Sequence, residues 1–194
     1  MTHSHRPLPA SKENSLFVHL GCGSKFIPGF IHVDIIPSPC VDIVGPVEKL
    51  SAFKDDSVDL IYASHVLEHF GRDQYLAVLA EWHRVLKPMG VLRLAVPNFR
   101  ACVEQYLMTG RIDGETGILG LLCGGQRHEY DYHHMVFDQT LLEQSLFKVG
   151  FKACRTWDWR ATEHTSVDDY SQAYLPHMEK ATGRLMSLNL EAVK

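Results

Sequence analysis

What most restricts this chain is a series of short apolar runs, each bounded by turn residues: LFVHL from Leu16, FIHVDI from Phe30, VDIVG from Val41 and, after the polar KDDS, VDLIYAS from Val58. These read as strands. From Arg72 to Lys87 the apolar residues Tyr75, Leu76, Leu79, Trp82, Val85 and Leu86 recur at helical spacing until Pro88 and Gly90 stop them, and a fifth run, VLRLAVP, follows. Parallel neighbours in a sheet need crossover connections, so strands alternating with helices predict a doubly wound α/β domain with a mainly parallel sheet covered on both faces. About ten residues, Gly21 to Phe30, separate the first two runs, which leaves room for a single helical turn.

The second half continues with a helix from Phe99 to Met108. Gly110, Gly114, Gly117, Gly120, Gly124 and Gly125 then crowd together and mark an irregular lid loop over about residues 110–135. Asp138 caps a helix from Gln139 to Val149 that Gly150 closes. FKACRTWDW and MSLNLEAV read as two final strands, paired antiparallel across the excursion from Asp168 to Lys180, with Trp157 and Trp159 on one face. Residues 1–14, with His3, His5, Pro7 and Pro9, read as a disordered tail, and residues 15–194 as one domain.

Charge and cysteine usage exclude several function classes. Nineteen basic against twenty-three acidic residues give a net charge of -4 and no basic stripe, so nucleic acid is not an expected partner. The cysteines Cys22, Cys40, Cys102, Cys123 and Cys154 are scattered without a C-x-x-C pair and read as reduced thiols. No run reaches the roughly eighteen apolar residues of a membrane span, and no signal-peptide pattern opens the chain, so a cytoplasmic protein is expected.

The chemistry begins directly after the first strand, at L-G-C-G-S (Leu20 to Ser24). Glycines there admit a ligand close to the backbone, at the strand ends where open α/β sheets bind their ligands. The second strand ends in Asp34, where an acidic side chain accepts hydrogen bonds from a ribose diol. V-H-L-G-C-G, G-F-I-H-V-D, F-K-D-D-S-V-D-L-I-Y-A-S-H-V-L-E-H and W-H-R-V-L-K-P-M-G-V-L-R-L-A-V-P-N occur in that order between Leu16 and Asn98. Together they resemble the class I S-adenosylmethionine-dependent methyltransferases of the small type 11 branch. The segments G-G-Q, Y-D-Y-H-H-M-V-F-D and D-D-Y-S-Q-A-Y-L-P-H-M are similar to a bacterial subgroup associated with surface-polysaccharide biosynthesis, which implies a saccharide-like acceptor.

The resemblance implies S-adenosyl-L-methionine as cofactor, with Gly21, Cys22 and Gly23 against its methionine moiety, Asp34 on the ribose and Ile35 near the adenine. Val47 and Glu48 would edge the adenine, and Ser64 and His65 would meet the methionine side. The chain departs from the family pattern at His19, Lys25 and Pro46. His65, Glu68 and His69 also spell H-x-x-E-H, a zinc-hydrolase signature that requires both histidines on one helix, whereas here His65 directly follows a strand. No metal ligands are assigned on that basis.

For the chemical step the candidates are His133 as general base, Asp131 to orient it, and His69. The surrounding group of His128, Asp131, His133 and His134 offers a divalent metal as the alternative means of acidifying an acceptor. Tyr130, Tyr132, Tyr170 and Tyr174 are candidate walls of an acceptor pocket. The expected function is O-methylation of a small or saccharide-like acceptor under a closing lid. A non-catalytic cofactor-binding module and a zinc hydrolase are the alternatives.

Overall fold

The computed structural model describes residues 15–114 and 116–194, so the tail expected to be disordered lies outside the described residues. The elements are β1 (Phe17–Leu20), β2 (Phe30–Asp34), β3 (Ile43–Val44), β4 (Val58–Ser64), α1 (Tyr75–Val85), β5 (Leu86–Pro97), α2 (Phe99–Thr109), α3 (Ile118–Cys123), α4 (Gln139–Lys148), β6 (Ala153–Thr156), β7 (Tyr174–Leu175), β8 (Arg184–Leu185) and β9 (Ser187–Val193). A seven-stranded sheet runs in the order β3-β2-β1-β4-β5-β9-β6, while β7 and β8 pair separately. The first five strands are mutually parallel, and β9 lies antiparallel to both β5 and β6. The carboxyl ends of β1, β2 and β4 consequently meet along one edge of the sheet.

Each parallel strand sends alternate side chains to opposite faces. Val18, Leu20, Val33, Ile61, Leu92, Leu94 and Leu190 join Leu79, Trp82 and Val85 of α1 and Leu142 and Leu146 of α4 in the main core. Trp82 is fully buried, and its indole N–H donates to the Val47 carbonyl at 2.9 Å, so the ring fills the core without an unpaired donor. The helix ends earlier than its apolar spacing suggests. Residues before proline avoid the helical region, and at Leu86, one residue ahead of Lys87-Pro88, the chain is already extended and begins β5.

The other face differs from the expected helical cover. Segments 25–28 and 157–175 lie across it, with Ile27, Trp157, Trp159 and Val167 on Phe30, Leu60, Tyr62 and Ala95. Between them the sheet places polar residues: Tyr62 donates to Asp169 at 2.5 Å, Arg93 pairs with Glu191 at 2.8 Å, His19 and His164 flank the Tyr62 ring, and His32 meets His19 edge-on. The connection from β1 to β2 forms two tight turns rather than a helical turn, closed by Lys25 N–H to Cys22 O at 2.9 Å and Phe30 N–H to Ile27 O at 3.3 Å. The glycine-dense segment is also more ordered than expected, since it contains α3. Among the described residues no helix is long and apolar enough to cross a membrane.

Burial pushes the His19 imidazole down to about 3 and that of His164 down to about 4. Both therefore stay neutral in the folded chain while an unfolded histidine takes up a proton near pH 6.5. Stability is unaffected above that value and falls as the pH drops from it toward the folded values, by up to about 1.4 kcal/mol per unit for each buried imidazole. Urea midpoints measured between about pH 7.5 and pH 4.5 should fall steadily on the acid side. A His19→Leu variant should lose stability less steeply there, and an unchanged slope would remove His19 from the explanation.

Candidate functional site

The turn after β1 is shaped by backbone contacts. Gly21 has φ 60°, a conformation glycine adopts without strain, and a Cβ there would stand 2.4 Å from Val66 Cγ2. Its N–H donates to Val33 O at 2.8 Å. Asp34 at the end of β2 accepts the Gly23 N–H on Oδ2 at 2.7 Å and the Ile36 N–H on Oδ1 at 2.8 Å, so one carboxylate ties the two strand ends together. Beside it opens a cleft of about 410 Å³.

Seven of the nine sequence-expected binding residues line this cleft: Gly21, Gly23, Asp34, Ile35, Val47, Glu48 and His65. Two do not. Cys22 turns its buried side chain inward, and Ser64 is absent from the lining, its buried hydroxyl having no hydrogen-bond partner among the described residues. Of the departures from the family pattern, Pro46 forms part of the wall, while His19 lies in the buried polar layer and Lys25 is exposed away from the cleft.

A second cavity of about 270 Å³ adjoins the first and shares His65, His69 and Asp131 with it. The glycine-dense segment separates the two: its residues from His128 to Tyr132 and His134 face the cleft, whereas Gly117, Gly120, Leu121, Gly124 and His133 face the second cavity. It is pinned to the turn after β4 by N–H donation from His134 and Met135 to Glu68 O, at 2.8 and 3.1 Å. The tyrosines divide likewise, Tyr130 and Tyr132 in the cleft, Tyr170 and Tyr174 in the cavity.

The expected pairing of Asp131 with His133 is not formed. Asp131 Oδ2 accepts instead from Arg127 Nε at 2.7 Å, and the His133 ring is oriented by Leu121 O, which accepts from Nδ1 at 2.9 Å. Leu121 was not anticipated because a backbone carbonyl carries no residue-type signal. The four-residue group read from sequence is also not one site, since His128 and His134 open to the cleft and His133 to the cavity. His69 donates from Nδ1 to Tyr132 O at 3.0 Å, and its ring meets that of His133 edge-on at 4.8 Å.

As the strand before His65 leads one to expect, no H-x-x-E-H helix forms. His65 follows β4 with φ 54°, and only Leu67–His69 form a 3-10 turn. That turn buries Glu68 completely, with neither carboxyl oxygen hydrogen-bonded. Its Oε1 lies 3.3 Å from His65 Nδ1 and 3.9 Å from His133 Nε2. Burial drives the acid up to about 8 and His133 down to about 4, and it lowers His69 and His65 as well. At neutral pH the group is thus uncharged, a protonated acid among neutral imidazoles. Sequence reasoning had named Glu68 only as part of the zinc motif; its apolar neighbours Val66 and Leu67 were the available sign that it turns inward.

Residues 30–94 match the family model described as a methyltransferase domain. A search of curated proteins finds no match. Among solved structures, the chain is similar to an S-adenosylmethionine-dependent methyltransferase from Archaeoglobus fulgidus, at 15% identity over 94% of this chain and 87% of that one, TM-score 0.56. It also resembles an S-adenosylmethionine-dependent methyltransferase from Mesorhizobium loti, at 18% identity over 95% and 94%, TM-score 0.51. A third is the 1,6-didemethyltoxoflavin-N1-methyltransferase of Burkholderia thailandensis, solved with 1,6-didemethyltoxoflavin and S-adenosylhomocysteine, at 16% identity over 93% and 71%, TM-score 0.58. At such identities what is shared is the fold.

Gly124 holds the second cavity in shape. It has φ 78°, and a Cβ there would lie 2.3 Å from Asp131 O and 3.1 Å from His133 Cδ2. At φ 78° and ψ 173° the backbone lies in a region populated essentially by glycine alone, which costs a side-chain-bearing residue about 1–3 kcal/mol. Gly124→Ala should therefore melt several degrees lower and shift the His133 imidazole resonances; a variant matching the parent in both would show that the contact yields freely.

Proposed function

We propose that this chain, whose fold is that of the class I S-adenosylmethionine-dependent methyltransferases, binds S-adenosyl-L-methionine in the cleft and methylates a hydroxyl of a small, saccharide-like acceptor in the adjoining cavity. The observation that carries the reading is the junction of the two spaces, whose common wall is His65, His69 and Asp131.

The cleft suits the cofactor. Nothing lies within 4 Å of where a Cβ would sit on Gly23, so a ligand can approach that backbone closely. The backbone uses one acceptor site on each Asp34 oxygen, and a carboxylate has about four, so the ribose diol still finds acceptors there. Ile35, Val47 and Phe70 offer apolar walls to an adenine, with Glu48 at the rim.

When bound, S-adenosylmethionine supplies a methyl group made electrophilic by its positively charged sulfur. The chain's own part is alignment and proton removal. Leu121 O holds the His133 Nδ1–H, which leaves the Nε2 lone pair to take the proton of the attacking hydroxyl. His69 sets the position of that ring, and the segment from Gly117 to His134 walls both spaces. Tyr170 and Tyr174 give the cavity aromatic surface suited to a sugar ring. The likeness to polysaccharide-associated methyltransferases supports a saccharide precursor in the cytoplasm as the acceptor.

Calorimetric titration with S-adenosylhomocysteine tests the first half of this reading. The parent chain should bind one equivalent, and Asp34→Asn should weaken binding at least tenfold, about 1.4 kcal/mol. Methyl-labelled cofactor with a panel of hydroxylated saccharides tests the second half. His133→Ala should bind S-adenosylhomocysteine like the parent yet turn over roughly 10²- to 10⁴-fold more slowly. Binding without labelled product would mark a binding module rather than a transferase, and no binding would overturn both halves.

A further inference from the structure

Glu68, one residue before the shared wall residue His69, is a buried acid with no hydrogen-bond partner for its side chain among the described residues. Its side chain is fully buried, and both oxygens accept no hydrogen bond, although His65 Nδ1 stands close to one of them. Leaving a buried carboxyl unpaired costs stability that apolar packing would not. The methyl-transfer chemistry above does not use it.

Two imidazoles address that carboxyl in the same manner. In His69 and in His133 the Nδ1–H donates to a backbone carbonyl, Tyr132 O and Leu121 O respectively, so each Nε2 carries a free lone pair. A second ring nitrogen anchored to a carbonyl or carboxylate is the arrangement that orients histidines ligating a metal. Ligand atoms of Glu68, His69 and His133 lie within 4.8 Å of one another. Around a tetrahedral ion with bonds of about 2.1 Å the ligands stand about 3.4 Å apart, so closing on an ion needs shifts on the order of 1 Å.

We propose that Glu68, His69 and His133 form a binding site for one divalent transition-metal ion of the zinc class, with an open coordination position toward the second cavity. Two imidazoles and one carboxylate favour Zn²⁺ or Co²⁺, whereas Mg²⁺ and Ca²⁺ prefer all-oxygen shells. Three protein ligands and an open position make up the pattern of catalytic rather than structural zinc. Binding requires the Glu68 proton to leave to solvent as the ion enters.

The consequence for the reaction rests on the methyl-transfer reading; the binding itself does not. In the loaded site the acceptor oxygen binds the ion through a lone pair, its O–H bond breaks, and the proton passes to water in the open cavity. The Nε2 lone pair of His133 is then held by the ion, so the ion replaces this imidazole as the agent that lowers the barrier to deprotonation.

The test uses the full chain with His3 and His5 changed to alanine, which removes the tail as a competing ligand. After chelation and dialysis, Zn²⁺ and Co²⁺ are titrated calorimetrically, and bound metal is counted by mass spectrometry. One ion per chain is expected, with a four-coordinate Co²⁺ visible spectrum and no response to Mg²⁺. Glu68→Gln and, as a second variant, His133→Gln should each weaken binding at least tenfold while melting cooperatively. Sub-stoichiometric metal, or undiminished affinity in whichever variant folds, overturns the site. If the ion binds but its removal leaves methyl transfer unchanged, the acidifying role is overturned. Stoichiometric ion with no methyl transfer by any preparation overturns the function reading instead and leaves the site standing.

Discussion

The upper edge of the sheet depends on one carboxylate that the backbone itself ties down. Asp34 takes the N–H of Gly23 from the turn after β1 and the N–H of Ile36 from its own loop. Charge-assisted hydrogen bonds of this kind are roughly twice as strong as neutral ones. They hold the turn in place with no crossover helix among the described residues between β1 and β2. Here the connection is only two tight turns, and the open space around Gly23 persists because a hydrogen bond, not a side chain, fills the corner.

Among the described residues no α-helix covers that side of β1 and β2, and this has a second effect. A sheet face must be buried against something, and the 157–175 segment that lies there brings polar groups with it, among them Asp169, Ser171 and His164. The strands answer with polar residues at alternate positions: His19, His32, Tyr62, Arg93 and Glu191. The layer holds because most members are paired, as in Tyr62 with Asp169 and Glu191 between Arg93 and Arg155. Burial holds His19 and His164 neutral, which makes this face an acid-sensitive side of the molecule.

The seven strands of the main sheet were legible because each holds a short apolar run between turn residues, and the cap at Asp138 formed as its residue type requires, accepting from Leu141 N–H, whereas the two-residue β7 and β8 carry no such run. The strand end of β2 and the glycine turn likewise announced the cleft. Other features could not be read locally. α3 has glycine in its middle and owes its helix to packing of Ile118 and Leu121 against Cys102 and Met186, contacts distant in sequence. Asp131 looked like a partner for His133 by proximity in sequence, yet the two side chains take different partners, Asp131 the Arg127 guanidinium and His133 the Leu121 carbonyl.

Glu68 shows the limit most clearly. The string H-x-x-E-H suggests a helix with two histidines on one face, but His65 takes a left-handed backbone at the strand end, and the following turn is too short to bring His65 and His69 together. What it does is bury the acid and aim His69 at His133, a residue from a segment more than sixty positions on, which approaches only because His134 and Met135 donate to the Glu68 carbonyl. The same residue therefore holds the segment that separates the two cavities through its backbone and faces the imidazoles of His65 and His133 through its side chain.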